Sequence, residues 1–282
     1  MKVSFCSDLH TDFHFKEANP QDPKFKKKVG LFIDKYFPDD LGDVLIIAGD
    51  TSHYNQQIRE LLEQLKEKVK DIVVVSGNHD YYMISDNIRK QFEWSSQQRV
   101  DQIQEICDSI DGVHYLDGDI VTIDGIRFGG TGGWYNLPTP KDIKHWKQAL
   151  NDSNLIFDGY PVAGAYSYGY RGNPDWDTQQ HYLDELQKLA NVAKEGCDVL
   201  VTHIAQVVAP DEEMPMMYRG DPSNIFYWVA NKEIVKESGA KYYVFGHTHD
   251  PYRFKLDNCL CLCNPLGYSG ENPGFKMNYF EV

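Results

Sequence analysis

At five points along this chain a short apolar run ends directly in side chains that bind metals. The run at 3–6 leads into Asp8 and His10, and the run at 44–47 into Gly49-Asp50. Residues 72–75 lead into Gly77-Asn78-His79-Asp80, 199–201 into His203, and 242–245 into Gly246-His247-Thr248-His249. Carboxylate, imidazole and amide oxygen together suit borderline first-row dications, with Mn the first choice and Fe, Zn or Ni as alternatives. One aspartate shared by two such ions offsets their repulsion and holds them roughly 3.5–4 Å apart. That spacing clamps the attacking and leaving oxygens of a phosphoryl displacement. A histidine beside the ligands but outside them, such as His79, can protonate a leaving alkoxide. Asp80 is then the candidate to hold the other ring nitrogen and fix the tautomer, provided that the chain turns there.

What must position these groups is a set of strands. The five runs are short and rich in β-branched or aromatic residues, which reads as buried strand. Loops that follow strand C-termini in an open α/β sheet converge on one crevice. The seven ligand candidates Asp8, His10, Asp50, Asn78, His203, His247 and His249 are therefore expected in one pocket. Asp8 and His10 fall on one side if the chain stays extended as it leaves its strand. The glycine before Asp50, Asn78 and His247 permits close backbone approach.

Helical patterns separate the strands. Ile58, Leu61, Leu62, Leu65 and Val69 give 55–69 an amphipathic face. Weaker helices are expected at 25–36, 86–110, 179–193 and 224–237, so the chain alternates as an α/β protein does. Residues 113–116, 119–123 and 126–128, divided by Asp-Gly pairs, read as an antiparallel meander. The pattern repeats at 252–256, 259–263 and 276–281. No linker divides the sequence, and a single domain over 1–282 is expected.

Hydrophobic residues make up 41% and charged residues 25%, which is ordinary for a soluble globular chain. A formal net charge of -14 argues against stable nucleic-acid binding. No apolar stretch approaches the roughly 20 residues that span a bilayer, and the start is too short for a secretory h-region. No membrane role is expected, and cytoplasm is the default location. Cys259, Cys261 and Cys263 alternate with leucines, so their sulfurs share a strand face. They read as small residues on the inner face of a sheet rather than as a thiolate site.

The blocks Asp8-Leu9-His10, Gly49-Asp50, Gly77-Asn78-His79-Asp80, His203 and Gly246-His247-Thr248-His249 resemble, in order, the five motif blocks of the calcineurin-like metallophosphoesterase superfamily. The run Asn264-Pro265-Leu266-Gly267-Tyr268 also looks like a segment common in that superfamily. The resemblance implies a four-layer α/β/β/α sandwich, with two mixed sheets face to face and helices outside. It also implies two divalent metal ions, with Asp8, His10 and His249 at the first and Asn78, His203 and His247 at the second. Asp50 would bridge them, a water between the metals would attack phosphorus, and His79 would be the acid.

Phosphodiester hydrolysis is the first expectation, because a histidine acid serves a poor alkoxide leaving group. Phosphomonoesterase or protein phosphatase action by the same centre is the alternative, and a non-catalytic scaffold on the same fold is the second. The substrate would be a phosphorylated small molecule, a nucleotide or a protein. Position 53 is a histidine where the superfamily often carries an acidic or other residue. His53, His14, Arg171 and Arg219 are candidate substrate contacts. The insertion at about 133–176, rich in aromatic residues, glycine and proline, is expected either to face the substrate or to be a packed surface excursion.

Overall fold

A computed structural model describes residues 1–159 and 176–282. Arg171 and the tyrosines at 160, 166, 168 and 170 lie outside the described residues.

The five ligand-bearing runs are strands β1 (Lys2–Cys6), β2 (Val44–Ala48), β3 (Asp71–Val75), β7 (Val199–Val201) and β8 (Tyr242–Phe245). The others are β4 (Val113–Tyr115), β5 (Asp119–Ile123), β6 (Ile126–Gly130), β9 (Tyr252–Leu256), β10 (Cys259–Cys263) and β11 (Asn278–Glu281). One sheet has the order β11-β1-β2-β3-β4, and the other β5-β6-β7-β8-β10-β9. In the first, only β11 runs antiparallel to its neighbour. In the second, a parallel centre is flanked by the hairpins β5–β6 and β9–β10.

Side-chain alternation along the central strands builds three apolar layers. Val44, Ile46, Val73 and Val75 face Val199, Val201, Val244 and Leu262 of the other sheet. The alternate residues Leu45, Ile47, Ile72 and Val74 pack outward beneath helices Pro23–Tyr36, Asn55–Leu65 and Ser96–Asp108. Leu200, Tyr243 and Phe245 pack the opposite way, against Leu189 and Val192 of helix Thr178–Glu195. The result is an α/β protein with two mixed sheets between helices, an αββα sandwich.

Four expectations need correction. The helix expected at 224–237 is a 3-10 turn, Pro222–Phe226, followed by a short helix, Lys232–Glu237. The stretch 113–128 is not one meander, because β4 joins β3 in parallel whereas β5 and β6 form a hairpin in the other sheet. The chain changes sheets at Leu116, whose side chain lies between them. Cys259, Cys261 and Cys263 face the helix-covered side of their sheet, and Leu262 takes the inter-sheet side. The single helix expected at 86–110 is two, Asp86–Gln91 and Ser96–Asp108. Glu93 and Trp94 adopt left-handed conformations between them (φ 49° and 61°), and Ser95 caps the second.

Candidate metal centre

The carboxyl ends of β1, β2, β3, β7 and β8 bring the ligand candidates to one spot. His10 Nε2 and His249 Nε2 lie 3.1 Å apart, and His249 Nε2 lies 3.4 Å from Asp8 Oδ1. Asn78 Oδ1 is 3.2 Å from His203 Nε2 and 3.0 Å from His247 Nδ1. Asp50 Oδ2 lies between these groups, 3.7 Å from His10 Nε2 and 3.3 Å from His203 Nε2. Two trios of donors thus flank one shared carboxylate.

The local backbone that achieves this is unusual. Asp8, His10, Asp50, His247 and His249 all have positive φ, from 40° to 70°. The left-handed region costs a residue with a Cβ roughly 1 kcal/mol or more. Asp8 and His10 therefore do not share a side by being extended. Each is turned at a left-handed residue, which aims successive side chains into the same space. Glycines make room for the loops. A Cβ on Gly77 would lie 2.1 Å from Asp50 Oδ1, and one on Gly49 (φ +83°) 2.5 Å from the His203 ring.

Three of the four imidazoles have the other nitrogen anchored, which fixes the face each offers. His203 Nδ1 pairs with the Ala48 carbonyl at 2.8 Å, and His247 Nε2 with that of Phe226 at 2.9 Å. His249 Nδ1 pairs with the Glu271 carboxylate at 2.8 Å. Asp8 accepts from the Ser7 hydroxyl at 2.5 Å and from the His247 N–H. Asn78 Nδ2 donates to Asp152 Oδ1 at 2.9 Å, leaving the amide oxygen toward His203 and His247.

Charge follows burial and neighbours. Burial opposes the charged form of His203, but the Asp50 carboxylate outweighs it and lifts the ring to about 9. Burial likewise opposes His249, yet Asp8 and Glu271 raise it to about 9. Burial pushes His10 down to about 4, and burial with the nearby His203 does the same to His247. His203 and His249 thus hold protons against the Asp50 and Asp8 carboxylates, protons that a bound cation would displace, and the buried carboxylates, imidazoles and amide oxygen together are a donor set for cations. The Asp and His clusters fit the dinuclear centre of a metal-dependent phosphoesterase, and the observation that decides the family is a match over residues 1–251 to the calcineurin-like phosphoesterases.

The chain belongs to the calcineurin-like phosphoesterase family.

Among relatives of this family member, the uncharacterized protein L509 of Acanthamoeba polyphaga mimivirus is 24% identical, covering 97% of this chain and 94% of that protein. The UPF0046 protein T07D4.2 of Caenorhabditis elegans is also 24% identical, and the match covers 79% of this chain but only 51% of that longer protein. The solved phosphopantetheinyl hydrolase (PptH) of Mycobacterium tuberculosis superposes with a TM-score of 0.67 at 17% identity, over 99% of this chain and 95% of that one. At that identity the likeness is one of fold.

The remaining candidates fall in different places. His79 lies in the 3-10 turn Asn78–Tyr81, with its backbone N–H on Asp50 Oδ1 at 2.9 Å. Asp80 does not reach its ring. Its carboxylate accepts instead from the backbone N–H groups of Gly77 (2.8 Å) and Asp50 (3.1 Å), so it ties two ligand loops together. The turn directs Asp80 back along the chain, which is why adjacency in sequence does not make the two side chains partners. Burial, and then Asp50, push Asp80 up to about 6. The partner of His79 is His53, whose Nε2 lies 2.9 Å from His79 Nδ1. His14 does not line the cleft, its ring lying against the Gly267 carbonyl and between Phe32 and Tyr36. Arg219 is exposed and donates to the Met214 carbonyl.

A cleft of about 310 Å³ opens over the centre, reaching Asp50, Asn78, His79, His247 and His249. Its walls include Tyr82, Tyr218, Tyr227, Trp228, Tyr252 and Tyr268, with the carboxylates of Asp152, Asp250 and Glu271. Among the described residues none of the lining side chains is a lysine or arginine. Sequence reasoning missed Asp12, Asp152 and Glu271. Only Glu271 had a signal, since it follows the Asn264–Tyr268 run. The insertion itself enters through Trp134 and Tyr135, both buried, and Tyr135 donates its hydroxyl to Asp152.

Proposed function

We propose that this protein is a phosphodiester hydrolase whose centre holds two divalent cations, with manganese the first candidate. The observation that carries the reading is the placement of seven donor side chains as two trios about Asp50. Asp8, His10 and His249 would hold one ion, and Asn78, His203 and His247 the other, with Asp50 shared. Such ions, when bound, supply positive charge that activates water for attack and stabilises the phosphoryl oxygens. The chain's own part is to fix the donors and to handle the leaving group.

His79 is the proton donor in this reading. Its ring sits against His10, with centroids 4.6 Å apart, and its Nε2 lies 3.4 Å from the Tyr268 hydroxyl at the cleft wall. Burial, together with the neighbouring rings of His10, His53 and His249, outweighs the pull of Asp50 and holds His79 well below an ordinary imidazole. An alkoxide is basic enough to take the Nε2 proton even of a neutral ring held in this way. The cleft also favours a diester over a monoester. Asp152, Asp250 and Glu271 add negative charge to the walls, and a diester monoanion is repelled less than a monoester dianion.

The test is hydrolysis of bis-4-nitrophenyl phosphate against 4-nitrophenyl phosphate by protein loaded with Mn, Fe, Zn or Ni. Preferential turnover of the diester is expected. Preference for the monoester would replace the substrate class, and no turnover of either with any of these metals would sink the hydrolase reading. Asp50→Asn is expected to lower the content of both ions together, read by metal analysis.

A further inference from the structure

Helix Pro23–Tyr36 buries Phe25, Val29, Phe32 and Ile33 and turns most of its other residues to solvent. Among these, Lys24, Lys28, Leu31 and Lys35 are spaced i, i+4, i+7, i+11, which sets them in a row along one face. The row is about 16 Å long at the rise of an α-helix. Lys27 borders it on one side, with Asp34, the only acid within the helix. Among the described residues none of Lys24, Lys27, Lys28 and Lys35 is paired with a carboxylate, whereas Lys26, turned away from the row, has Glu60 at 3.6 Å. A chain with 42 acidic and 28 basic residues thus keeps a row of free ammonium groups on one helix.

Beside the row the surface is notched. A hollow of about 210 Å³ has Lys28, Leu31, Phe32, Lys35, Tyr36 and Ser269 in its walls. Leu31 is 52% exposed, an apolar side chain standing between two lysines. Lys35 is held at the rim, with Nζ 2.8 Å from the Tyr36 hydroxyl and 4.6 Å above that ring. The hollow therefore has an apolar floor and a cationic edge. It also abuts the metal cleft. His14, in its wall, lies 3.2 Å from the Gly267 carbonyl, and the next residue, Tyr268, is a wall of the cleft. Phe13, 48% exposed, packs on the Tyr268 ring at 4.6 Å.

We propose that this face docks an acidic protein segment carrying an apolar side chain, with its carboxylates along the lysines and the apolar group in the hollow. Charge complementarity selects an anion, and the hollow selects a protein. A nucleic acid or an anionic bilayer presents charge over an area far wider than one helix face, and a chain of net charge -14 repels the remainder. A short segment meets only the lysines, because charge farther off is screened beyond about 8 Å at physiological salt. Docked there, the partner lies against the loop that carries Tyr268, beside the mouth of the cleft. Such docking is independent of the reaction assigned to the cleft.

The probe is the fluorescein-labelled peptide amide Asp-Glu-Asp-Leu-Glu-Asp-Glu, titrated by anisotropy with the full Mn-loaded chain. Saturable binding to wild type is expected, weakening as salt is raised. The double variant Lys28→Glu/Lys35→Glu is expected to bind about 10-fold or more weakly, because two attractive contacts become repulsive. Lys255→Glu, exposed on β9 at the edge of the other sheet, is expected to change affinity by no more than about 2-fold. A peptide with serine in place of leucine is expected to bind wild type about 5-fold more weakly, since the hollow removes apolar surface from water. Lys28→Gln/Lys35→Gln, expected to fall between wild type and the charge reversal, keeps the test if that variant does not fold. Absence of saturable binding, equal losses in Lys255→Glu and the double variant, or equal affinity for the serine peptide would overturn the proposal. So would tighter binding of poly(U) or phosphatidylglycerol vesicles through the same lysines, which would make the partner a nucleic acid or a membrane.

Discussion

The two trios of candidate ligands around Asp50 are built by different means. In the first trio Asp8 and His10 are buried and His249 alone is partly exposed, leaning on Glu271, a side chain that is itself 39% exposed. Asn78, His203 and His247 are buried, and both of these histidines lean on backbone carbonyls of neighbouring loops. A carbonyl at a strand end cannot rotate away, whereas a half-exposed glutamate must lose side-chain freedom each time it engages. The weak point of the buried trio is its one amide. Asn78 can present either oxygen or nitrogen, and Asp152 decides, with the Tyr82 hydroxyl 3.4 Å from the same Nδ2. The lesson is that one trio has a member leaning on a half-exposed carboxylate, whereas the other leans on backbone carbonyls and one buried aspartate.

The largest effect is therefore expected at Asp152. It accepts from Asn78 Nδ2 at 2.9 Å and from the hydroxyls of Tyr82 and Tyr135. Asp152→Ala frees the amide and leaves three buried donors without an acceptor. Affinity for one of the two metal equivalents is expected to fall about 10–100-fold, the usual cost of losing an outer partner. The other equivalent is expected to bind as in wild type. Calorimetric titration of metal into the metal-free protein separates the two. A parallel weakening of both equivalents would break the comparison.

These supports also mark where the sequence is legible. The strand-end motifs could be read because chemistry restricts which residue types stand there, and because β-branched runs announce buried strands. Asp8 and His10 could be named, but not the left-handed turns that aim them. The helix expected at 86–110 failed at Glu93 and Trp94, where no glycine or proline warns of a break. Nor does a period-2 pattern say which sheet a strand joins, which is why β4 and β5 were assigned to one meander. Asp12 and Asp152 were invisible for a simpler reason. They meet His53 and Asn78 across 41 and 74 residues, and a lone aspartate in a sequence carries no mark of its partner.

A smaller effect is expected at the rim. Glu271 accepts from the Tyr268 N–H at 2.7 Å as well as facing His249 Nδ1. In Glu271→Gln the ring keeps a neutral partner, and water can replace part of what is lost. Affinity is expected to drop by about 10-fold, the lower end of the range for outer partners, and for one metal equivalent only. Combining Glu271→Gln with Asp152→Ala sharpens the comparison, because partners of separate ions should act additively. A double variant much worse than the product of the singles would mean that the trios are coupled through Asp50.

The smallest effect tests how the insertion is moored, without touching a ligand. Glu185, 2% exposed on helix Thr178–Glu195, accepts from the Thr131 hydroxyl at 2.6 Å, the Gly133 N–H at 2.8 Å and Lys188 at 2.7 Å. It thereby fixes the exit of β6 toward Tyr135 and Asp152. Burial opposes its charge, but His181, Lys188 and the Thr131 hydroxyl outweigh burial and hold it below the usual glutamate value. A carboxyl lowered in this way contributes stability above its unfolded pKa and loses it as pH falls through the folded value. Glu185→Gln is expected to cost about 1.5–3 kcal/mol at neutral pH, the range for hydrogen bonds to a charged group. The gap to wild type should close only below about pH 4.5, where the unfolded carboxyl takes up its proton. Denaturant melts at pH 7 and pH 4 measure both. Because the mooring serves the buried trio alone, any loss of metal should fall on the equivalent that Asp152→Ala weakens. Loss at the other one would show that the insertion supports the whole centre rather than half of it.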